Sequence, residues 1–223
     1  MNRQKIFKEI KIFAVMLLVI ASLRSILYDW NDVPTGSMKP TIEEGDRVFV
    51  NKLSYDLKVP FTTYELTKWD DPKRGDIVVF FSPADGARLV KRVIGLPGDR
   101  IALRDNQLFV NGQAVAWKQV GNYSENKDAI VFEETLPRQP QPRVHKMMII
   151  PDQPSPRSTY GPDIVPPGYY FVMGDNRDNS NDSRFIGMIE RTRIVGRATA
   201  IAFSFDRNHY YIPRFSRWGH ALH

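Results

Sequence analysis

One long apolar run near the start of the chain constrains the architecture more than any other feature. From Ile12 to Leu23 the only polar residue is Ser22, and counting on to Tyr28 gives 17 residues with a single charge, Arg24. A membrane-spanning helix needs about 17–25 such residues, so the run suffices at the short end. Arg24 lies near its end and can snorkel to the interface. Arg3, Lys5, Lys8 and Lys11 precede it, and an excess of basic residues marks the cytoplasmic side of a span. The pattern predicts a cytoplasmic N-terminus at 1–11, a transmembrane anchor at 12–28 and an outward-facing domain at 29–223. Tyr28 and Trp30 fall where aromatic side chains settle at the interface. A cleavable export signal is the competing reading, with Val19-Ile20-Ala21 as a crude cleavage pattern. The apolar run reaches Ala21 with no polar, helix-breaking stretch before it, which favours the anchor. Both readings export the domain.

Beyond the anchor, the remainder of the 223 residues suits one globular domain. With no cysteine, disulfides, thiolate–metal sites and cysteine nucleophiles are excluded. The net charge is +6, with Lys and Arg spread along the chain. No zinc-finger spacing or aromatic ribonucleoprotein motif accompanies them, which argues against nucleic acid as a partner. Anionic lipid headgroups are a better match for the charge.

The domain reads as mainly β. Asp46–Val50, Asp76–Phe81 and Arg88–Ile94 are short, rich in β-branched and aromatic residues, and bounded by Gly, Pro or Asp. Residues 108–115 read as a hairpin turning at Asn111-Gly112. Strands are expected again at Gly168–Met173 and Ile194–Phe205, giving an antiparallel sheet. Residues 119–167 differ. Pro137, Pro140, Pro142, Pro151, Pro154, Pro156, Pro162, Pro166 and Pro167 fall among polar residues, which predicts an inserted, looser subdomain or extended loop. Val144 and Met147–Ile150 are the apolar positions there that can form a strand.

Ser37 lies nine residues after Tyr28, in the stiff turn Pro34-Thr35-Gly36-Ser37-Met38-Lys39-Pro40. Such a serine suits a nucleophile held at a membrane surface, but its hydroxyl needs a base within hydrogen-bond reach. The histidines are His145, His209, His220 and His223. None sits in a triad-like pattern, and no Gly-x-Ser-x-Gly elbow is present. Lysine is the other base, provided burial lowers its pKa from about 10.4. Lys91 fits by strand parity: Leu89, Lys91 and Val93 share one face, and Arg88, Val90 and Arg92 take the other. An edge-strand lysine facing solvent is the plain alternative. Lys39 is closer in sequence, but Pro40 holds it extended, and it is expected to point into solvent. Ser124-Glu125-Asn126-Lys127 matches a Ser-x-x-Lys pattern, but it lies in a polar loop without companion motifs and reads as chance.

Residues 174–184, Gly-Asp-Asn-Arg-Asp-Asn-Ser-Asn-Asp-Ser-Arg, follow directly on a predicted strand. Acids, amides and guanidinium groups this dense suit a loop held by buried polar bonds. A calcium loop is the alternative, but Ser180 stands where its glycine is required and no bidentate glutamate follows.

These segments together resemble the bacterial type I signal peptidases, membrane-bound Ser/Lys proteases. The similarity rests on Pro34–Thr41, Gly45–Lys52, Val90–Asp99 and Gly174–Ser180 running on to Asp182-Ser183-Arg184, in family order. It covers nearly the whole chain apart from 119–167. The resemblance implies a serine endopeptidase that removes signal peptides from exported preproteins, using neither metal nor cofactor. It implies Ser37 as nucleophile and neutral Lys91 as general base and then acid. The Ser37 backbone N–H and the Thr35 hydroxyl would form the oxyanion hole, threonine replacing the serine frequent at that position. Ser180 would orient the Lys91 amine. Asp175 with Arg92, and Asp182 with Arg184, would be structural ion pairs. Implied partners are preprotein signal peptides, membrane lipids and the export machinery, with the catalytic domain on the periplasmic face of the inner membrane. Gram-negative members with two spans differ from the single span here. Two rivals share parts of this pattern: a conjugation-pilus-type Ser/Lys processing peptidase, and a non-enzymatic membrane-tethered β-domain acting in assembly, with Ser37 merely capping a turn.

Overall fold

In the computed structural model, which describes residues 3–59, 62, 64–207 and 209–222, the apolar run forms helix α1 (Arg3–Leu27). The expected anchor ends as helix one residue early, because Tyr28 already pairs with Asn51 in the sheet. Along α1 the side chains of Ile12, Phe13, Val15, Met16, Leu17, Leu18 and Ile20 are exposed. They fall at nearly consecutive positions, so they surround the helix instead of forming one stripe. Among the described residues no helix is long and apolar enough to cross a membrane. The side chains of 3–6, 19 and 23–26 lie outside the described set, and with them the expected snorkelling of Arg24.

The chain continues through β1 (Tyr28–Asp32), β2 (Asp46–Asn51), β3 (Asp56–Lys58), β4 (Glu65–Lys68), β5 (Ile77–Phe81) and β6 (Arg88–Gly95). Next come β7 (Arg100–Arg104), β8 (Gln107–Val110), β9 (Gln113–Ala114), β10 (Ala116–Asn122), β11 (Ile130–Leu136), β12 (Arg143–Ile149), β13 (Tyr160–Ile164) and β14 (Tyr169–Met173). A short α2 (Ser183–Ile186) precedes β15 (Ile189–Glu190), β16 (Ile194–Asp206) and β17 (Ile212–Pro213). The main sheet runs β1-β2-β16-β5-β6-β14-β15, with β17 paired to β16. Its pairings are antiparallel. The fold is therefore mainly β and antiparallel, with strands where the β-branched runs predict them. The Asn111-Gly112 turn joins β8 to β9 with φ of 54° and 82°, the left-handed conformation that a two-residue hairpin turn requires.

The sheet is buried on both faces. Ile77, Val79 and Val90 pack on one side with Val33, Met38, Ile42, Val48 and Ile201. Val78, Phe80 and Val93 pack on the other with Tyr55, Tyr170 and Ile194, and Leu89 lies against them. The turn carrying Ser37 is thus fastened to the first face through Val33, Met38 and Ile42. Each such side chain contributes about 2 kcal/mol on burial.

Residues 119–167 are more regular than the proline content predicts. β10, β11 and β12 form a separate three-stranded sheet, and β13 pairs with β7. The prolines of this segment fall mostly in the connections, leaving β11 and β12 intact. Pro162 lies within β13, an edge strand, where a missing N–H costs no ladder bond.

Candidate active site

Ser37 sits in a single 3₁₀ turn, Gly36–Met38, between an extended Thr35 and the start of the Pro40 segment. The Lys39 N–H donates to Gly36 O at 3.1 Å and the Ile42 N–H to Met38 O at 2.9 Å. With Met38 and Ile42 fully buried, the turn has little freedom to move the serine. Loop 174–176 closes on it from the opposite side. The Asn176 N–H donates to Ser37 O at 3.1 Å, and Asn176 Nδ2 donates to Gly36 O at 3.2 Å. Gly174 is required by this approach. A Cβ there would stand 2.4 Å from Ser37 O and 2.3 Å from Ser180 Oγ.

Lys91 Nζ lies 2.7 Å from Ser37 Oγ and donates to Val90 O at 3.1 Å. Its backbone is in register with Val78 on β5, and its amine reaches the Ser37 turn, which packs on the Val79 and Val90 side of the sheet. It is 3% exposed. Burial lowers its pKa to about 8, against the carboxylates of Asp182 and Asp175, which favour the charged form. A neutral amine is thereby available near physiological pH, with a lone pair in reach of the serine proton. Thr35 Oγ1 donates to Ser37 Oγ at 3.4 Å, at the outer limit of a hydrogen bond.

The adjacent Arg92 on β6 is also fully buried. It grips Asp175 with both prongs, Nε and Nη2 each at 2.8 Å, and Thr41 Oγ1 donates to the same carboxylate at 2.5 Å. Asp182 caps α2, accepts from Arg184 Nε at 2.9 Å and Nη2 at 2.8 Å, and accepts the Gly174 N–H at 3.1 Å. The structure thus brings together Ser37 with Lys91, Asp175 with Arg92, and Asp182 with Arg184.

Other expectations fare differently. Ser180 does not hydrogen-bond Lys91: its Oγ is buried without a partner, while the Lys91 amine contacts Ser37 Oγ and Val90 O. Lys39 does not point into open solvent. Its Nζ donates to Glu125 Oε2 at 3.0 Å beside the Tyr123 ring, and the side chain is 18% exposed. A carboxylate from the following segment, 86 residues away, captures it. Ser124 and Lys127 lie exposed in the β10–β11 connection. Asp178, inside the loop read alternatively as a calcium site, accepts the N–H groups of Ile150 and Ser155 and the Asn106 amide.

The histidines stand apart from the serine. His145 is buried between Glu134 and Asp175, its Nε2 3.5 Å and 3.8 Å from their oxygens. Burial, together with Arg92, Arg177 and Arg143, holds it well below the usual histidine pKa, so it is neutral. His209 pairs with Asp206 at the surface, His220 is exposed, and His223 lies outside the described residues. Sequence reasoning missed Glu134, Asn176 and Arg177 as neighbours of the site. Arg177 Nη1 and Nη2 donate to Glu134 Oε1 and Oε2 at 2.9 and 2.5 Å. Polar and apolar residues do not alternate along β11 (Ile-Val-Phe-Glu-Glu-Thr-Leu), so the sequence does not separate the buried Glu134 from the adjacent Glu133.

A family model described as "Signal peptidase, peptidase S26" matches residues 6–203. The Signal peptidase I of Pseudomonas fluorescens is 36% identical over 237 residues, covering 98% of this chain and 81% of its own. That of Pseudomonas aeruginosa is 36% identical over 236 residues with the same coverage. That of Rickettsia canadensis is 37% identical over 215 residues, 88% of this chain and 80% of its own. The solved signal peptidase I of Enterococcus faecalis V583 aligns with 58% of this chain and 98% of its own at 28% identity. Its TM-score is 0.37, too low to carry a statement about fold.

Proposed function

This chain belongs to the signal peptidase family, peptidase S26, and on that premise we propose that it removes signal peptides from exported preproteins with Ser37 as nucleophile and Lys91 as base. The observation that carries the dyad is the 2.7 Å approach of a buried Lys91 amine to Ser37 Oγ. Neutral Lys91 takes the serine proton as Oγ attacks the scissile carbonyl. The Ser37 N–H and the Thr35 hydroxyl stabilise the oxyanion of the tetrahedral intermediate. The Lys91 ammonium returns the proton to the departing amine, leaving an ester on Ser37. Lys91 then takes a proton from water as its oxygen attacks the ester, and returns that proton to Ser37 Oγ as the acyl C–Oγ bond breaks and the product acid leaves. Ser180 Oγ, buried beside Gly174 without a partner, is assigned to hold the Lys91 ammonium once Ser37 has given up its proton. The Arg92–Asp175 and Arg184–Asp182 pairs hold the surrounding backbone.

Residues 12–28 anchor the enzyme. Among the described residues of α1, the apolar side chains from Ile12 to Leu18 are exposed around the helix, and lipid is the covering such a helix requires. The basic residues before it place the N-terminus in the cytoplasm and the catalytic domain on the outer face of the inner membrane. Ser37 then works where a preprotein's signal helix leaves the bilayer, beside the export machinery. Small residues are expected at the first and third positions before the cut.

The test is incubation of the full chain with a membrane-inserted preprotein, followed by N-terminal sequencing of the product. Ser37→Ala and Lys91→Ala are each expected to abolish cleavage while the domain stays folded. Near-normal turnover by Lys91→Ala would remove the dyad, and an uncut preprotein with the intact enzyme would remove the substrate assignment.

A further inference from the structure

The sheet β10–β12 reaches the nucleophile through the loop that follows β14. The Met148 N–H on β12 donates to Asp175 O at 2.8 Å, and the Arg177 N–H donates back to Met148 O at 2.9 Å. This parallel bridge is centred on Asn176, the residue that donates to both Ser37 O and Gly36 O. One strand further out, Glu134 on β11 holds the Arg177 guanidinium with both oxygens. Neither side chain is more than 1% exposed. Arg177 O meanwhile accepts from Arg184 Nη2 at 2.7 Å, so the residue is gripped at its N–H, its carbonyl and its side chain.

A buried ion pair of this kind adds little net stability over an apolar pair of the same volume. What it supplies is a two-point lock with a fixed direction. We infer that Glu134 is a positioning residue for the Ser37–Lys91 pair: it fixes Arg177, Arg177 fixes Asn176, and Asn176 fixes the Ser37 backbone. Segment 116–149 then acts as a brace on the nucleophile turn. Glu134 touches neither Ser37 nor Lys91 and acts only through this relay. The inference rests on the Ser37–Lys91 reading.

The experiment compares the full chain with Glu134→Gln, Arg177→Gln and the double variant, on a membrane-inserted preprotein. A serine-directed acylating inhibitor gives a second readout that does not depend on peptide binding. Each single variant is expected to lower kcat by about a hundredfold, the effect of displacing a reacting group by about 1 Å, with KM little changed. Acylation of Ser37 should slow by the same factor. The double variant should be no worse than the poorer single variant, because both residues serve one lock. Trp117→Ala, which removes the Trp117–Phe132 stack in the same sheet, should leave kcat unchanged if loosening the sheet is not the cause. Retention of kcat by Glu134→Gln, a rise in KM alone, multiplying effects in the double variant, or an equal kcat loss in Trp117→Ala would each overturn the inference. Should Glu134→Gln fail to fold, the double variant decides, since it leaves no unpaired buried charge; normal kcat there overturns the inference. Ser37→Ala and Lys91→Ala run in parallel: activity in either would sink the dyad reading instead.

Discussion

Replacing Lys91 by methionine separates the lysine's chemical role from its energetic cost. The amine is 3% exposed, and burial lowers its pKa from the ordinary 10.5 to about 8. That displacement corresponds to about 3 kcal/mol of differential interaction between the charged and neutral forms. The sign follows from proton counting. Between about pH 8 and 10.5 the unfolded chain keeps the Lys91 proton and the folded chain has lost it, so stability rises with pH across that window. Below pH 8 both states are protonated and the folded state carries the full penalty. Lys91→Met keeps a similar stem and removes the titration. Its stability relative to the parent should therefore fall by about 3 kcal/mol as pH rises from 7 to 11, whatever the packing change. Denaturant unfolding of the two full chains in detergent micelles at a series of pH values measures this difference, and other titrating groups cancel in it. Lys91→Met should also be inactive at every pH. A stability difference that stays flat with pH would refute the reasoning, because the lysine would then titrate alike folded and unfolded.

Three further outcomes follow from the same geometry. The kcat/KM of the parent should fall tenfold per pH unit below about 8 as Lys91 takes up its proton; a midpoint near the ordinary lysine value would contradict the burial. Thr35→Val should lower kcat by about 10²–10³, the usual cost of one oxyanion donor, while Thr35→Ser should stay close to the parent in the same preprotein assay. Gly174→Ala places a Cβ against the backbone oxygen of Ser37 and should cost about 1–3 kcal/mol in thermal or denaturant unfolding, together with most of the activity.

Much of this protein is written locally. The apolar run, the β-branched runs of β2, β5, β6, β14 and β16, and the Asn111-Gly112 turn express dihedral preference and periodicity over a few residues. Neighbours in sequence suffice to reveal them. The parity of Lys91 belongs to the same class, as does the rigidity of the Ser37 turn between its prolines. The pairing of Asp182 with Arg184, two residues on, is equally local.

Tertiary structure decided what depends on distant partners. Strand parity sets Lys91 in line with Leu89 and Val93, but its amine reaches the Ser37 turn on the Val79 and Val90 side. Only packing on both faces of the sheet makes the site dry enough to hold its pKa near 8. Ser37 and Lys91 are 54 residues apart, and Arg92 and Asp175 are 83 apart. Glu134 meets Arg177 across 43 residues, from a segment whose prolines suggest looseness. The same distance dependence explains the two corrections at the site: Lys39 is taken by Glu125, and Ser180 is left without its expected partner. Local pattern specifies which side of a strand a residue occupies. The depth of its burial, and hence its charge and its partner, exists only once the remote segments are packed together.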